Sequence, residues 1–248
     1  MSRFFLSAPL SVTFTPLCRP AISLLCMLGS TGLHAARPMV TDDARLVDPK
    51  SCQVESWVRY NRDSEEYWAL PGCNFTGNLE LTLGGALGKD AAGTRTTDVV
   101  FQGKTLFKPL ASNGWGIGLT LGNVTHPAIQ TRSNLLGDVY FNIPASFSFR
   151  DDRFVLHTNV GMLHDRAEKV SRATWGLGSE TRLGERSWLI AETYGQTQAN
   201  PFYQFGVRYW VVPDRVQIDT TYGSRLGGNQ DERWFSVGLR LLSPAFLP

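Results

Sequence analysis

The sequence predicts an all-β protein, an antiparallel transmembrane β-barrel of about 12 strands that follows a cleaved signal peptide. Three observations predict it. Apolar residues alternate with polar or small ones over residues 52–242, short and long connections alternate between these runs, and the N-terminus has the pattern of an export signal. The formal net charge of +2 excludes the strongly basic surface typical of nucleic-acid-binding proteins, so no nucleic-acid partner is expected.

Residues 1–35 have the pattern of a secretory signal peptide. Arg19 and Pro20 are followed by an apolar run over residues 21–28, and Ala35 offers a cleavage site among small residues. The alternative, a buried N-terminal helix, would be interrupted by Pro20. Because the leader contains two Arg and no acidic residue, its removal leaves 22 basic and 22 acidic residues.

After export through the periplasm, the mature chain is expected to consist of three regions. We expect a periplasmic N-terminal segment over residues 36–51, an outer-membrane β-barrel over residues 52–242 and a C-terminal tail over residues 243–248.

Cys52 and Cys73 remain after the leader is removed, and a pair of Cys in an exported protein usually forms a disulfide. Two free thiols are the alternative. Turn residues at positions 61–64 lie midway between them, so a hairpin centred there pairs Cys52 with Cys73. The same register gives two further favourable cross-strand pairs, Trp57 with Trp68 and Arg59 with Glu66.

Alternation with a period of two residues predicts the remaining strands. Removing the 35-residue leader from 248 residues leaves 213, and twelve strands then take about 18 residues each with their connections, close to the repeat of outer-membrane barrels. After the first hairpin the alternating runs lie at residues 79–83, 98–108, 115–122, 138–149, 154–163, 172–183, 187–196, 202–212, 215–224 and 232–242.

Connection lengths give a second, independent indication of a barrel, since outer-membrane barrels have short periplasmic turns and longer outer loops. If the first strand starts in the periplasm, the even-to-odd connections are short, and residues 61–64 are a short turn on the opposite side. We expect the loop over residues 125–134 to gate the lumen. The short connections are residues 150–152, 184–186 and 213–214, and the longer ones are residues 89–97, 125–134, 164–171 and 225–231.

Aromatic residues lie near the ends of the apolar face, where two interfacial girdles are expected. The aromatic core of a soluble β-sandwich or barrel is the alternative. The predicted periplasmic girdle contains Phe107, Trp115, Phe149 and Phe154, and the outer girdle contains Trp175, Tyr203 and Tyr222.

Four stretches of the chain resemble a family of outer-membrane proteins grouped with phenol meta-pathway (MetA-type) outer-membrane transporters. They are residues 37–44, 52–57, 205–210 and the final hairpin over residues 218–239. The resemblance implies an outer-membrane barrel that admits aromatic or other apolar compounds, and it brings no catalytic residues. The chain departs from the common barrel ending, an aromatic residue read by the assembly machinery, because it continues past Leu242.

If the apolar face meets lipid, the opposite face lines the lumen. Its acidic and basic residues nearly balance, so we expect no sharp ion selectivity. Pairing of these charges into a filled interior is the alternative to an open pathway. On three neighbouring strands, adjacent inward positions could contact a substrate or form an ion-pair network, and these are Glu192, Tyr194, Arg208 and Asp219. The candidate lumen residues are Glu55, Arg59, Glu80, Lys104, Asp138, His157, Glu180, Arg182, Glu192, Tyr194, Arg208, Asp219 and Arg240.

These observations predict an outer-membrane protein that acts as a passive channel for small, apolar or aromatic solutes, without a cofactor. Its partners would be outer-membrane lipid, the solute and the barrel-assembly machinery. The second hypothesis is a filled structural or ligand-binding barrel. The third is an outer-membrane lipid hydrolase whose turnover His157→Ala would abolish, although the chain lacks the His-x-Ser spacing of such enzymes. Three scattered His in the mature chain predict no metal site.

Overall fold

The computed structural model describes residues 39–93, 95–127, 136–228 and 232–248, and the predicted leader lies outside them. The described chain forms a closed antiparallel barrel of 12 strands in which β12 pairs with β1, so the predicted fold class is confirmed. In this part of the chain no helix is both long and apolar enough to cross a membrane. The strands are β1 (Cys52–Asn61), β2 (Ser64–Asn74), β3 (Glu80–Asp90), β4 (Arg95–Lys108), β5 (Trp115–Thr125), β6 (Asp138–Phe149), β7 (Phe154–Asp165), β8 (Val170–Arg182), β9 (Ser187–Gln196), β10 (Phe202–Val212), β11 (Val216–Arg225) and β12 (Trp234–Leu242).

The first hairpin has the predicted register. Cys52 faces Cys73 and the two form a disulfide, which confirms the predicted bond. Arg59 faces Glu66 in the same ladder. The predicted tryptophan pair, Trp57 and Trp68, is stacked with ring centroids 5.2 Å apart.

Burial is reversed relative to a soluble protein. On β6, Asp138, Asn142 and Ser146 are buried inside the barrel, whereas Val139 and Ile143 on the outer face are 41% and 40% exposed. Most buried side chains of the described residues are polar or charged. In water such a surface would expose far more apolar area than a monomer usually does, but it suits a barrel surrounded by lipid.

The predicted girdle residues all lie at the outer surface or near it. Phe107, Trp115, Phe149 and Trp175 are exposed, and Phe154, Tyr203 and Tyr222 are half-buried.

The two ends of the barrel differ in their connections. We call the end with the β6–β7 turn, residues 150–153, the short-turn end, and the end with the β5–β6 connection, residues 126–137, the long-loop end. Residues 128–135 are outside the description, so most of the predicted gating loop is not described.

Two of the predicted long loops are shorter than expected. The β3–β4 connection is residues 91–94 and the β7–β8 connection is residues 166–169. The polar residues at these strand ends break the alternating pattern, yet they continue the ladder, as in the pairs Lys89–Arg95 and Asp165–Val170. The paired strands are therefore longer than the runs of alternating apolar and polar residues.

The N-terminal segment differs from the expectation. We predicted that residues 36–51 lie on the periplasmic side of the barrel, but residues 39–47 lie inside it, where their amides donate to inward side chains. The tail over residues 243–248 stays at the short-turn end, with the Phe246 amide 2.9 Å from the Lys50 carbonyl oxygen. A polar interior supplies the hydrogen-bond acceptors that an extended peptide needs, and this is the physical reason why residues 39–47 lie inside the barrel rather than outside it.

The disulfide provides the first prediction. Replacing both cysteines, Cys52→Ala and Cys73→Ala, should lower the free energy of unfolding in detergent by about 2–3 kcal/mol, because the unfolded chain loses its cross-link. Urea unfolding of the folded barrel would measure this. A Ser56→Ala variant on the same strand serves as the control, and an unchanged midpoint in the double variant would show that the ladder alone holds the hairpin.

Candidate functional site: the occupied lumen

The predicted lumen residues fall into three groups. Arg182 stands at the end of β8, exposed at the short-turn end, where its Nε donates to the Gly184 carbonyl oxygen at 3.0 Å, so it does not line the lumen. Arg59, Tyr194 and Arg240 face inward and are half-buried. The buried group contains Glu55, Glu80, Lys104, Asp138, His157, Glu180, Glu192, Arg208 and Asp219.

The first described residues of the N-terminal segment are held by Glu192 on β9. Its two carboxylate oxygens accept the backbone N–H groups of Val40 and Thr41 at 2.7 and 2.6 Å. Hydrogen bonds to a charged acceptor are stronger than neutral ones, and these are shielded from water. Glu192 therefore anchors the start of the described segment to the wall.

Asn159 on β7 both accepts a hydrogen bond from the backbone of Asp42 and donates one to it. Its Oδ1 accepts the Asp42 N–H at 2.6 Å, and its Nδ2 donates to the Asp42 carbonyl oxygen at 2.8 Å. Further along, Ser146 Oγ accepts the Ala44 N–H and Glu80 accepts the Val47 N–H, both at 2.8 Å. Side chains of β3, β6, β7 and β9 thus take the place of the backbone groups that a neighbouring strand would offer to the amides of this segment.

An ion cluster joins the segment to the opposite wall. Lys104 Nζ on β4 lies 2.6 Å from Asp42 Oδ1 and 3.1 Å from Asp43 Oδ1. Thr120 on β5 donates to the other Asp42 carboxylate oxygen at 2.9 Å. All four side chains are buried, so each charge depends on the others for compensation.

A second ion cluster lies beside the first. Arg45 Nη1 is 3.3 Å from Glu180 and 3.5 Å from Asp43. Arg208 on β10 is 2.9 Å from Glu180, so this carboxylate bridges the segment and the wall. Asp43 contacts both Lys104 and Arg45, so the two ion clusters form one connected network.

Two glycines on β8 make room for the segment. A Cβ atom on Gly176 would lie 2.7 Å from Thr41 Oγ1, and one on Gly178 would lie 3.1 Å from Met39 Sδ and 3.2 Å from Thr41 Cβ. These distances are shorter than ordinary van der Waals contacts. Glycine at these positions is what allows the segment to approach the wall.

Ser146, His157 and Glu180 have the order of a hydrolase triad. Ser146 Oγ lies 2.8 Å from His157 Nδ1, and His157 Nε2 lies 3.6 Å from Glu180 Oε1. However, Ser146 Oγ also accepts the Ala44 N–H, and neither Ser146 nor His157 is accessible to solvent. The geometry shown is that of a buried network that supports the segment.

The lumen toward the long-loop end has a different chemistry. An apolar layer there contains Trp68, Leu70, Ala86, Val100, Val124, Tyr140 and Leu163, with Trp57 packed against it. A cavity of about 30 Å³ is lined by residues of both this layer and the segment. Leu70, Val100, Lys104 and Asp42 all line this cavity. The apolar layer is thus continuous with the ion cluster at Lys104.

At the long-loop end, His126 links two strands across β5. Its Nδ1 lies 2.6 Å from Asp98 on β4, and its Nε2 lies 3.5 Å from Asp138 on β6. Hydrogen bonds to Asp138 and Asp98 raise the pKa of His126 to about 9. Among the described residues, no three His, Cys, Asp or Glu side chains come together as a metal site.

Sequence reasoning placed the wall residues on the correct face but missed what they hold. The partner residues Asp42 and Asp43 lie in a stretch without strand alternation, which predicts a periplasmic segment rather than part of the lumen. The available signal was the pair of adjacent acidic residues directly before a barrel with inward basic residues such as Lys104.

Comparisons with known proteins agree with this architecture. A family model described as uncharacterised conserved protein UCP029691 matches residues 23–242, and the chain belongs to this family. No curated protein matches the sequence. The matches do not show the grouping with MetA-type transporters, which stays a prediction.

Many solved structures share the fold, among them two porins and a channel. The KdgM porin has a TM-score of 0.57 at 7% identity, covering 76% of this chain and 98% of its own. The NanC porin has a TM-score of 0.54 at 8% identity, covering 77% and 98%. The COG4313 outer membrane channel from Pseudomonas putida F1 has a TM-score of 0.51 at 10% identity, covering 81% and 97%. At these identities the likeness shows a shared barrel fold.

His126 predicts a pH dependence of stability. Because its folded-state pKa lies above the ordinary value of 6.5, its ion pairs stabilise the barrel fully below pH 6.5 and lose this contribution as the pH rises through about 9. The difference in unfolding free energy between wild type and His126→Gln should be of the order of 2 kcal/mol at pH 6 and near zero at pH 10. Unfolding midpoints across this range measure it, with His164→Gln as the control; a difference that is independent of pH would contradict the ion pairs.

Proposed function

We propose that this member of the UCP029691 family is an outer-membrane channel whose lumen is held closed by its own residues 39–47. The observation that carries the proposal is the occupation of the lumen by this segment, whose amides bind Glu192, Asn159, Ser146 and Glu80. Each of these contacts is a hydrogen bond or an ion pair. The segment can therefore leave without breaking a covalent bond.

The membrane location rests on the outer surface of the barrel. Large apolar side chains such as Leu83, Phe101 and Val160 are 60%, 51% and 65% exposed there. Burying such a surface in lipid is favourable, and the aromatic residues near both ends fit membrane interfaces. Outer-membrane lipid and the barrel-assembly machinery are the partners this location requires, and export follows from the pattern of the leader.

The apolar layer of the lumen supports passage of a small apolar or aromatic solute, the class that the resemblance to MetA-type transporters implies. Trp57, Trp68 and Tyr140 present aromatic surfaces to the interior. Passage would be passive and would need no cofactor. A KdgM porin was solved in complex with disordered oligogalacturonate, so a barrel of this fold can hold a solute.

A filled structural barrel and a closed channel have the same resting structure. They differ in whether residues 39–47 can be displaced, which the conductance of a Gly176→Val, Gly178→Val variant decides. The hydrolase hypothesis has Ser146, His157 and Glu180 in its favour, but the hydroxyl that would attack is already bound to the Ala44 amide. The channel is thus the function that this geometry supports best.

Fractionation tests the location. The protein should occur in the outer-membrane fraction of expressing cells and migrate faster on a gel before boiling than after it, because a closed barrel resists unfolding by detergent. Wild type with a reduced disulfide is the control for mobility changes that arise from the cross-link. A periplasmic band with no dependence on heating would overturn the membrane proposal.

Displacement of the segment tests the closed channel. The double variant Gly176→Val and Gly178→Val places side-chain atoms where Thr41 and Met39 lie, and it should push the segment off the wall while the barrel stays folded. In planar bilayers, wild type should be closed most of the time. The double variant should show single-channel steps at least about tenfold more often, since several kcal/mol of contact are lost.

The matched control is Gly103→Val, which adds a side chain to the outer face of β4, where a Cβ atom would meet Leu81 at an ordinary distance of 3.5 Å. This variant should behave as wild type does. If the double variant gives a folded, heat-modifiable barrel without conductance, the barrel is filled for structural reasons and the channel proposal is wrong.

A further inference from the structure

We infer that the solute of this channel is a small carboxylate anion with an apolar or aromatic body, and that the carboxylates of Asp42 and Asp43 occupy its binding site at Lys104. The inference rests on the proposed function, because it names the class of solute that replaces the segment. The inferred binding site is formed by the inward side chains of the barrel, which stay in place when residues 39–47 leave the lumen.

Lys104 differs from the other charged wall residues in where its partners lie. Its ammonium group is bound by Asp42 and Asp43, and both belong to the segment. By contrast, the wall carboxylates that hold the segment also have partners in the barrel: Glu180 binds Arg208 at 2.9 Å, Glu80 accepts from Gln53 at 2.7 Å and Glu192 accepts from Gln204.

Departure of the segment therefore affects these charges unequally. The three glutamates keep a hydrogen-bond donor of the wall, whereas Lys104 loses both carboxylates that lie within hydrogen-bond distance of it. The wall carboxylate left beside it, its cross-strand partner Glu80, already accepts from Gln53. Charge-assisted hydrogen bonds to an ammonium group are strong, so the open state favours an anion that replaces the two lost carboxylates at this position. Thr120, which donates to Asp42 Oδ2 at 2.9 Å, offers a second donor to the same carboxylate.

The surroundings of Lys104 indicate the rest of the solute. Leu70 and Val100 line the same cavity as Lys104, and both belong to the apolar layer. Gln102, between Val100 and Lys104 on β4, accepts the Tyr140 hydroxyl at 2.8 Å through its Oε1, which ties Tyr140 of the apolar layer to the same strand as Lys104. A molecule with its carboxylate on Lys104 would rest its body on apolar side chains toward the long-loop end.

Chemical rescue tests the inference in the full-length chain. The variant Asp42→Ala with Asp43→Ala removes both carboxylates and leaves room beside Lys104. Benzoate should raise the temperature at which this variant loses its heat-modifiable band and should reduce its single-channel current. Benzamide, which has the same shape without the charge, should need at least about tenfold higher concentration for either effect, because the ionic hydrogen bonds are missing.

Two controls make the result specific. Wild type should show no shift with benzoate, since its own carboxylates fill the site, and adding Lys104→Met to the double variant should abolish the difference between benzoate and benzamide. Equal effects of the two compounds, or a benzoate effect that survives Lys104→Met, would overturn the inference. The stability shift needs no conductance, so it stays informative if the glycine variants remain closed and the channel proposal fails.

Discussion

The buried ammonium group of Lys104 is the constraint on which the interior of this barrel depends. A charge inside a closed sheet needs a counter-ion, and the chain provides two, Asp42 and Asp43, from a segment that precedes the first strand. Once these carboxylates are in the lumen, the backbone that carries them must also be satisfied. Asn159, Glu192 and the glycines of β8 are arranged around that requirement.

The barrel uses its polar interior differently from a water-filled pore. Opposite charges pair across the lumen through the segment, so the contacts that fill the lumen are also the ones that would close the proposed channel. The contacts of this network are not distributed evenly. Glu180 and Glu80 bind other residues of the barrel, whereas the hydrogen-bond partners of Lys104 belong to the segment. This asymmetry is the basis of the proposed opening of the channel and of the proposed preference of its open state for anions.

The first hairpin and the strand faces show how far local reasoning reaches. The positions of Cys52, Cys73 and the turn between them determine one register, and it is the register observed. Alternation placed residues as far apart as Glu55, His157 and Asp219 inside the barrel, because the side-chain period of a strand is two whatever its neighbours are. Arg182 fails this rule because its strand ends there, at the barrel rim, where a long side chain turns to solvent.

What the sequence by itself determined is the local and repetitive part of this protein: twelve alternating strands, the first hairpin with its disulfide, and the apolar outer face. These follow from periodicity and from residues close together in the chain. Only the tertiary structure decided the contents of the lumen, because the contacts of Asp42 with Lys104, Thr120 and Asn159 join residues that are far apart in sequence. No periodicity marks such contacts, since they exist only once the sheet has closed around the segment.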